Sequence, residues 1–113
     1  MPRVSISEET APAKVVAAAR RLGRNIRTAR KRRRLRQADM ARQAGITITT
    51  LRSVERGALG AGLGAYVAAL WAMGLEGQLT QLADPATDLE GQTLEAATRG
   101  ERVRLSEALP RDF

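Results

Sequence analysis

The chain has 113 residues, room for one small domain with tails, and carries 19 Lys and Arg against 12 Asp and Glu for a net charge of +7. It contains no Cys and no His, which excludes disulfides, thiolate nucleophiles, Cys/His zinc sites and histidine-based triads. Hydrophobic residues make up 43 % of it, yet only Tyr66, Trp71 and Phe113 are aromatic, so the core must be built from aliphatic side chains and alanine, a composition that favours helix over sheet.

Residues 1–12, with Pro2, Ser5, Ser7, Glu8, Glu9, Thr10 and Pro12, read as a flexible lead-in. Thr10 and Pro12 then mark a helix start. Val15, Ala19, Leu22, Ile26 and Ala29 follow at the spacing of an amphipathic stripe, with arginines on the other faces and a run from Arg30 to Arg34 at the C-terminal end, where positive charge suits the macrodipole. Gly23 is a weak spot that could mark a break in this helix. Gln37–Ala44 reads as a short helix stopped by Gly45, and Ile48–Arg56 as a second, capped by Thr47 and stopped by Gly57. After a loop over Ala58–Gly62, Leu63–Met73 forms a fourth helix with Leu63, Val67, Leu70 and Trp71 on one side. Leu75, Leu79 and Leu82 support a fifth, closed by Asp84-Pro85. Beyond Pro85 the polar sequence shows only patchy helical tendency, and Asp84, Asp88 and Glu90 read as solvated acids, not metal ligands. The expected fold is therefore all-α: a compact five-helix bundle over residues 13–83, with a lead-in over 1–12 and a polar tail over 84–113 for dimer or partner contact.

Charge is unevenly placed. Lys14–Gly57 holds 14 basic residues against Asp39 and Glu55, whereas residues 58–113 hold Arg99, Arg102, Arg104 and Arg111 against eight acids. A basic half joined to an acidic half points to polyanion binding in the first and a different task in the second. No apolar run approaches the length of a membrane span and no signal-peptide core follows the N-terminus, so a cytoplasmic protein is expected.

The segment from Gln37 to Gly57 is the strongest signal. Met40, Ala41 and Ala44 face inward on its first helix, and Leu51 and Val54 on its second; Ala41 is small where the helices cross, Gly45 makes the turn and Ile46 fills the corner. Thr47, Ile48, Thr49, Arg52 and Ser53 are left outward on the leading side of the second helix, the side that enters a major groove. With Leu22–Arg27 before it and Leu63–Leu75 after it, this segment resembles the phage-repressor-like (XRE-type) helix-turn-helix family. The string Leu70–Leu75, then Leu82–Pro85, Asp88 and Gly91, is similar to HipB-type antitoxins, which are encoded beside HipA-like kinase toxins.

The resemblance implies roles. Gln37 would bind a phosphate, Thr47 would cap the recognition helix and touch backbone, and Ile48, Thr49 and Ser53 would lie over base edges. Arg52 would reach a base or a phosphate, Arg36 and Arg56 would contact DNA, and Arg30 and Glu55 would form a buried ion pair between the first helix and the recognition helix. The implied protein is a homodimeric repressor and antitoxin on a palindromic operator, its two recognition helices about 34 Å apart, with no cofactor and no metal. A stand-alone regulator and a toxin-binding interaction module are the alternatives. An arginine-rich RNA binder is disfavoured by the absence of aromatic interleaving, and an enzyme by the absence of any nucleophile–base pair.

Overall fold

The computed structural model describes residues 6–108. Pro2 and Ser5 of the lead-in and Pro110, Arg111 and Phe113 of the tail lie outside the described residues. Among those described there is no strand, and five α-helices carry the fold: α1 (Ala13–Arg32), α2 (Gln37–Ala44), α3 (Ile48–Glu55), α4 (Leu63–Ala72) and α5 (Leu89–Ala108). Short 3₁₀ turns occupy Leu59–Ala61 and Glu76–Gln81. The chain divides into two compact units, Met1–Leu79 and Thr80–Phe113.

The first unit is organised around Ile26, Met40, Leu51 and Val54, each at most 1 % exposed. Ala41, Tyr66, Ala69 and Leu70 complete the core, with Leu22, Ile46, Met73, Leu75 and Leu79 packed against it. Burying each large aliphatic side chain of this kind contributes about 1.5–3 kcal/mol. α1 packs on α3, α2 on α3 and α4, and α3 on α4.

Three expectations need correction. Gly23 does not break α1, which runs unbroken from Ala13 to Arg32. It is buried where α1 crosses the end of α3, and a Cβ there would lie 2.5–2.7 Å from the backbone of Gly57, Val54 and Glu55. Gly57, at φ 73°, meets α1 from the other side, with no room between it and the Ala19 carbonyl. The two glycines let the backbones touch.

The inner face of α4 is Tyr66, Ala69 and Leu70, while Leu63 and Trp71 are 72 % and 58 % exposed. Tyr66 takes the inward place because its ring fills the core and its hydroxyl donates to the Ala58 carbonyl at 2.8 Å, which satisfies the buried oxygen. The expected fifth helix is a 3₁₀ turn over Glu76–Gln81; Leu75 and Leu79 reach the core, but Leu82 is exposed. With Gly77 inside and Asp84-Pro85 close behind, the segment is too short to nucleate α-helix.

Conversely, the tail contains the 20-residue helix α5. It starts where Asp88 Oδ1 accepts from the Gly91 amide at 3.0 Å, after a turn in which Asp84 Oδ1 accepts from Ala86 at 2.9 Å. Asp88 is a cap, which satisfies an amide that the helix start leaves open, and Asp84 closes the turn before it. In the lead-in, Ser7–Thr10 forms a turn and Glu8 pairs with Arg20 at 3.0 Å.

Candidate nucleic-acid interface

α2 ends at Gly45 in the left-handed region, φ 72° and ψ 27°. The Gly45 amide bonds the Arg42 carbonyl at 3.2 Å and the Ile46 amide the Ala41 carbonyl at 3.0 Å, which closes the helix and reverses the chain within a few residues. Thr47 follows in extended backbone, and its hydroxyl oxygen accepts from the Thr50 amide at 3.1 Å. α3 therefore starts at a defined residue and crosses α2 over Ala41, Leu51 and Val54, all at most 2 % exposed.

This packing sets what faces out. Thr47, Thr49 and Arg52 are exposed, as is Ile48 at 37 %. Ser53 is half-buried; its hydroxyl donates to the Thr49 carbonyl at 3.1 Å and lies 3.4 Å from Arg56 Nη2. These residues form one continuous rim along α3. Arg36 stands at the α2 entrance with its side chain 90 % exposed and a loose 3.9 Å approach to Asp39, which pairs more closely with Arg42 at 3.0 Å.

Beneath the rim, Arg30 and Glu55 form a two-pronged ion pair, Nε to Oε2 at 2.7 Å and Nη2 to Oε1 at 2.9 Å, with both residues at most 7 % exposed. Arg30 Nη1 also donates to the Leu35 carbonyl at 2.8 Å, tying down the link between α1 and α2. Burial alone would raise the Glu55 carboxyl pKa, but the hydrogen bonds from Arg30 and Gln37 and the charges of Arg30 and Arg27 prevail and hold it below the ordinary 4.5. Gln37, at the first position of α2, is drawn into this group: its Nε2 donates to Glu55 Oε1 at 3.1 Å and its Oε1 accepts from Arg52 Nε at 3.4 Å.

The structure also sorts the arginines. Arg27, Arg52 and Arg56 converge with Gln37 on a cleft of about 210 Å³ beside α3. A second cleft continues from it along α1, past Arg20 and Arg24. The α1 arginines at i, i+4 and i+7 thus extend the basic surface of the recognition helix, a continuity that the charge run alone did not mark. Arg32 and Arg33 belong elsewhere, on a groove floored by Leu22, Ile26, Leu70 and Leu75.

Two short helices joined at a left-handed glycine, the second capped by threonine, buried on one side and polar on the other, define a helix-turn-helix, a DNA-binding arrangement. Residues 21–83, more than half the chain, match the family model described as "Helix-turn-helix domain", and the chain belongs to that family. No curated protein and no solved structure matches it. Among the described residues, no helix is long and apolar enough to cross a membrane.

Proposed function

We propose that the chain is a homodimeric, sequence-specific transcriptional repressor, nucleoid-associated in the cytoplasm, that acts as the antitoxin of a HipA-like kinase and represses its own operon. The observation that carries the DNA-binding part is the rim of α3. Thr47, Ile48, Thr49 and Arg52 are solvent-facing on a helix whose other side is fixed in the core, and the clefts beside it are lined by arginines. Threonine and isoleucine methyl groups suit thymine methyls, and arginine suits guanine. The α1 arginines supply the sequence-independent attraction to phosphate.

The dimer is supported by α4. No charged residue lies between Leu63 and Ala72, and Leu63, Val67 and Trp71 form an outward i, i+4, i+8 stripe. Two chains of net charge +7 meet at least cost through a neutral face, and a helix apolar on all sides needs a second cover. The antitoxin role is supported by the resemblance of the Leu70–Gly91 segment and by the separate second unit, whose helix leaves Leu89, Leu94, Val103 and Leu105 uncovered.

A mobility-shift titration with the DNA preceding the gene tests the repressor reading. A complex selective over scrambled duplex, with affinity falling steeply between 50 and 200 mM salt, is the expected result; binding that ignores sequence at moderate salt refutes it. Co-purification of the neighbouring kinase with the full chain, lost on removal of residues 84–113, tests the antitoxin role.

A further inference from the structure

The hydrogen bonds around Glu55 form a directed chain that ends on the reading surface, and only one arrangement of it is chemically possible. A carboxylate accepts and cannot donate. Glu55 Oε2 is taken by Arg30 Nε, and Oε1 by Arg30 Nη2 and Gln37 Nε2. Turning the Gln37 amide over would set its carbonyl against the carboxylate and its NH₂ against the Arg52 N–H, two repulsions in place of two bonds. The buried ion pair therefore dictates that the carbonyl of Gln37 faces outward, where Arg52 Nε donates to it. A guanidinium grips a base or phosphate either side-on, through Nε and one Nη, or end-on, through both Nη atoms. With Nε engaged, the end-on fork remains, and no hydrogen bond among the described residues reaches it. Arg27, Arg56 and Glu55 line the same cleft; the Glu55 carboxylate there is already engaged by Arg30 and Gln37, and Arg52 itself is exposed.

We propose that Gln37 and Glu55 are positioning residues for Arg52: the core ion pair orients the Gln37 amide, which holds Arg52 by Nε so that its end-on fork reads one guanine in the major groove. This rests on the DNA-binding reading above and departs from the phosphate role that family resemblance implies for Gln37. An untethered arginine spreads over many rotamers and meets base edges and phosphates alike; a tethered one discriminates.

The test uses the full chain and a pool of duplexes with a randomised core, sequenced after selection by wild type, Arg52→Ala and Gln37→Met. Methionine matches glutamine in length and keeps the packing without either hydrogen bond. Wild type is expected to recover a motif with a required guanine. Arg52→Ala and Gln37→Met should each flatten that same position and leave the others, with discrimination there falling by about ten-fold or more. Gln37→Met gives up one hydrogen bond to the buried carboxylate and should melt below wild type; selection run well below both melting temperatures, with the loss confined to the guanine position, separates this from unfolding, which would weaken every duplex. If Gln37→Met weakens all duplexes alike with the guanine intact, Gln37 serves the phosphate backbone and the proposal is overturned. A guanine that survives Arg52→Ala overturns it equally. A wild type that recovers no motif sinks the functional reading and this inference together, a result distinct from either variant outcome.

Discussion

Removing the Glu55 side chain tests how far the fold depends on the interior pair. In Glu55→Ala, Arg30 keeps only its bond to the Leu35 carbonyl and loses two charge-assisted ones, while Gln37 Nε2 loses its acceptor. Because Arg30 is 7 % exposed, water does not readily replace what is lost, and stranding a buried charge costs about 3–5 kcal/mol. Small domains are stable by only about 5–15 kcal/mol. At about 4–8 °C per kcal/mol for a unit of this size, the melting temperature should fall by at least about 12 °C. Thermal melting followed by far-UV circular dichroism at pH 7 measures the shift, and a urea titration the free-energy loss. The double variant Arg30→Met, Glu55→Leu removes both charges and should recover most of the loss. Glu55→Ala within about 1 kcal/mol of wild type, or a double variant less stable than either single, would refute the reasoning. The acid limb gives a second reading. The Glu55 pKa is below 4.5 in the folded state, so as pH falls the unfolded chain takes up this proton first. The stability from the pair is present above pH 4.5 and lost as pH drops through the depressed value; the charge-free double variant should lack that step.

Gly23→Ala improves intrinsic helix propensity by about 1 kcal/mol, yet its Cβ would press on backbone atoms of Gly57, Val54 and Glu55. The expected net effect is a loss of about 1–3 kcal/mol by thermal melting, whereas Gly100→Ala in α5, where a Cβ meets nothing within 4 Å, should raise helicity. Thr47→Ala removes the acceptor for the Thr50 amide and should cost about 1 kcal/mol in urea titration, with a proportionate loss of DNA affinity as the start of α3 frays. Tyr66→Phe should cost about 1 kcal/mol through the lost bond to Ala58. Burial raises the Tyr66 pKa above 10.0, so its stabilising neutral form persists to pH 10 and is lost as pH rises through the raised value; Tyr66→Phe should show no such alkaline step.

The helix-turn-helix itself was legible because each of its signals is local. Gly45 requires a left-handed turn, Thr47 caps the helix that follows, and the apolar spacing of Met40, Ala41, Leu51 and Val54 fits one crossing. What sequence reasoning missed depends on distant partners. Gly23 looks like a helix defect until Gly57 is brought against it, 34 residues away. Which face of α4 is buried was not legible because its residues are apolar all round, so periodicity carries no direction, and Tyr66 is held inward by the Ala58 carbonyl. α5 was obscured by Gly91 and Gly100, although Asp88 starts it with a cap three residues before the first of them.

The same distinction explains why the rim of α3 can vary while the fold persists. α3 is held from behind at three points: the Thr47 cap, the Arg30–Glu55 pair and the Gly23–Gly57 contact. None of these uses the outward side chains of Ile48 or Thr49. Substitutions at those two positions therefore act on DNA selectivity with stability changes within about 0.5 kcal/mol, whereas changes at Gly23 act on the fold and reach DNA only through it, and changes at Arg30 or Glu55 act on the fold and, through the Gln37 amide, on Arg52. Gln37 belongs to both groups, since one end of its amide meets the buried carboxylate and the other meets Arg52. If Thr49→Ala destabilised the chain as much as Thr47→Ala, the division between a fixed back and a free rim would be wrong, and melting both variants side by side decides it.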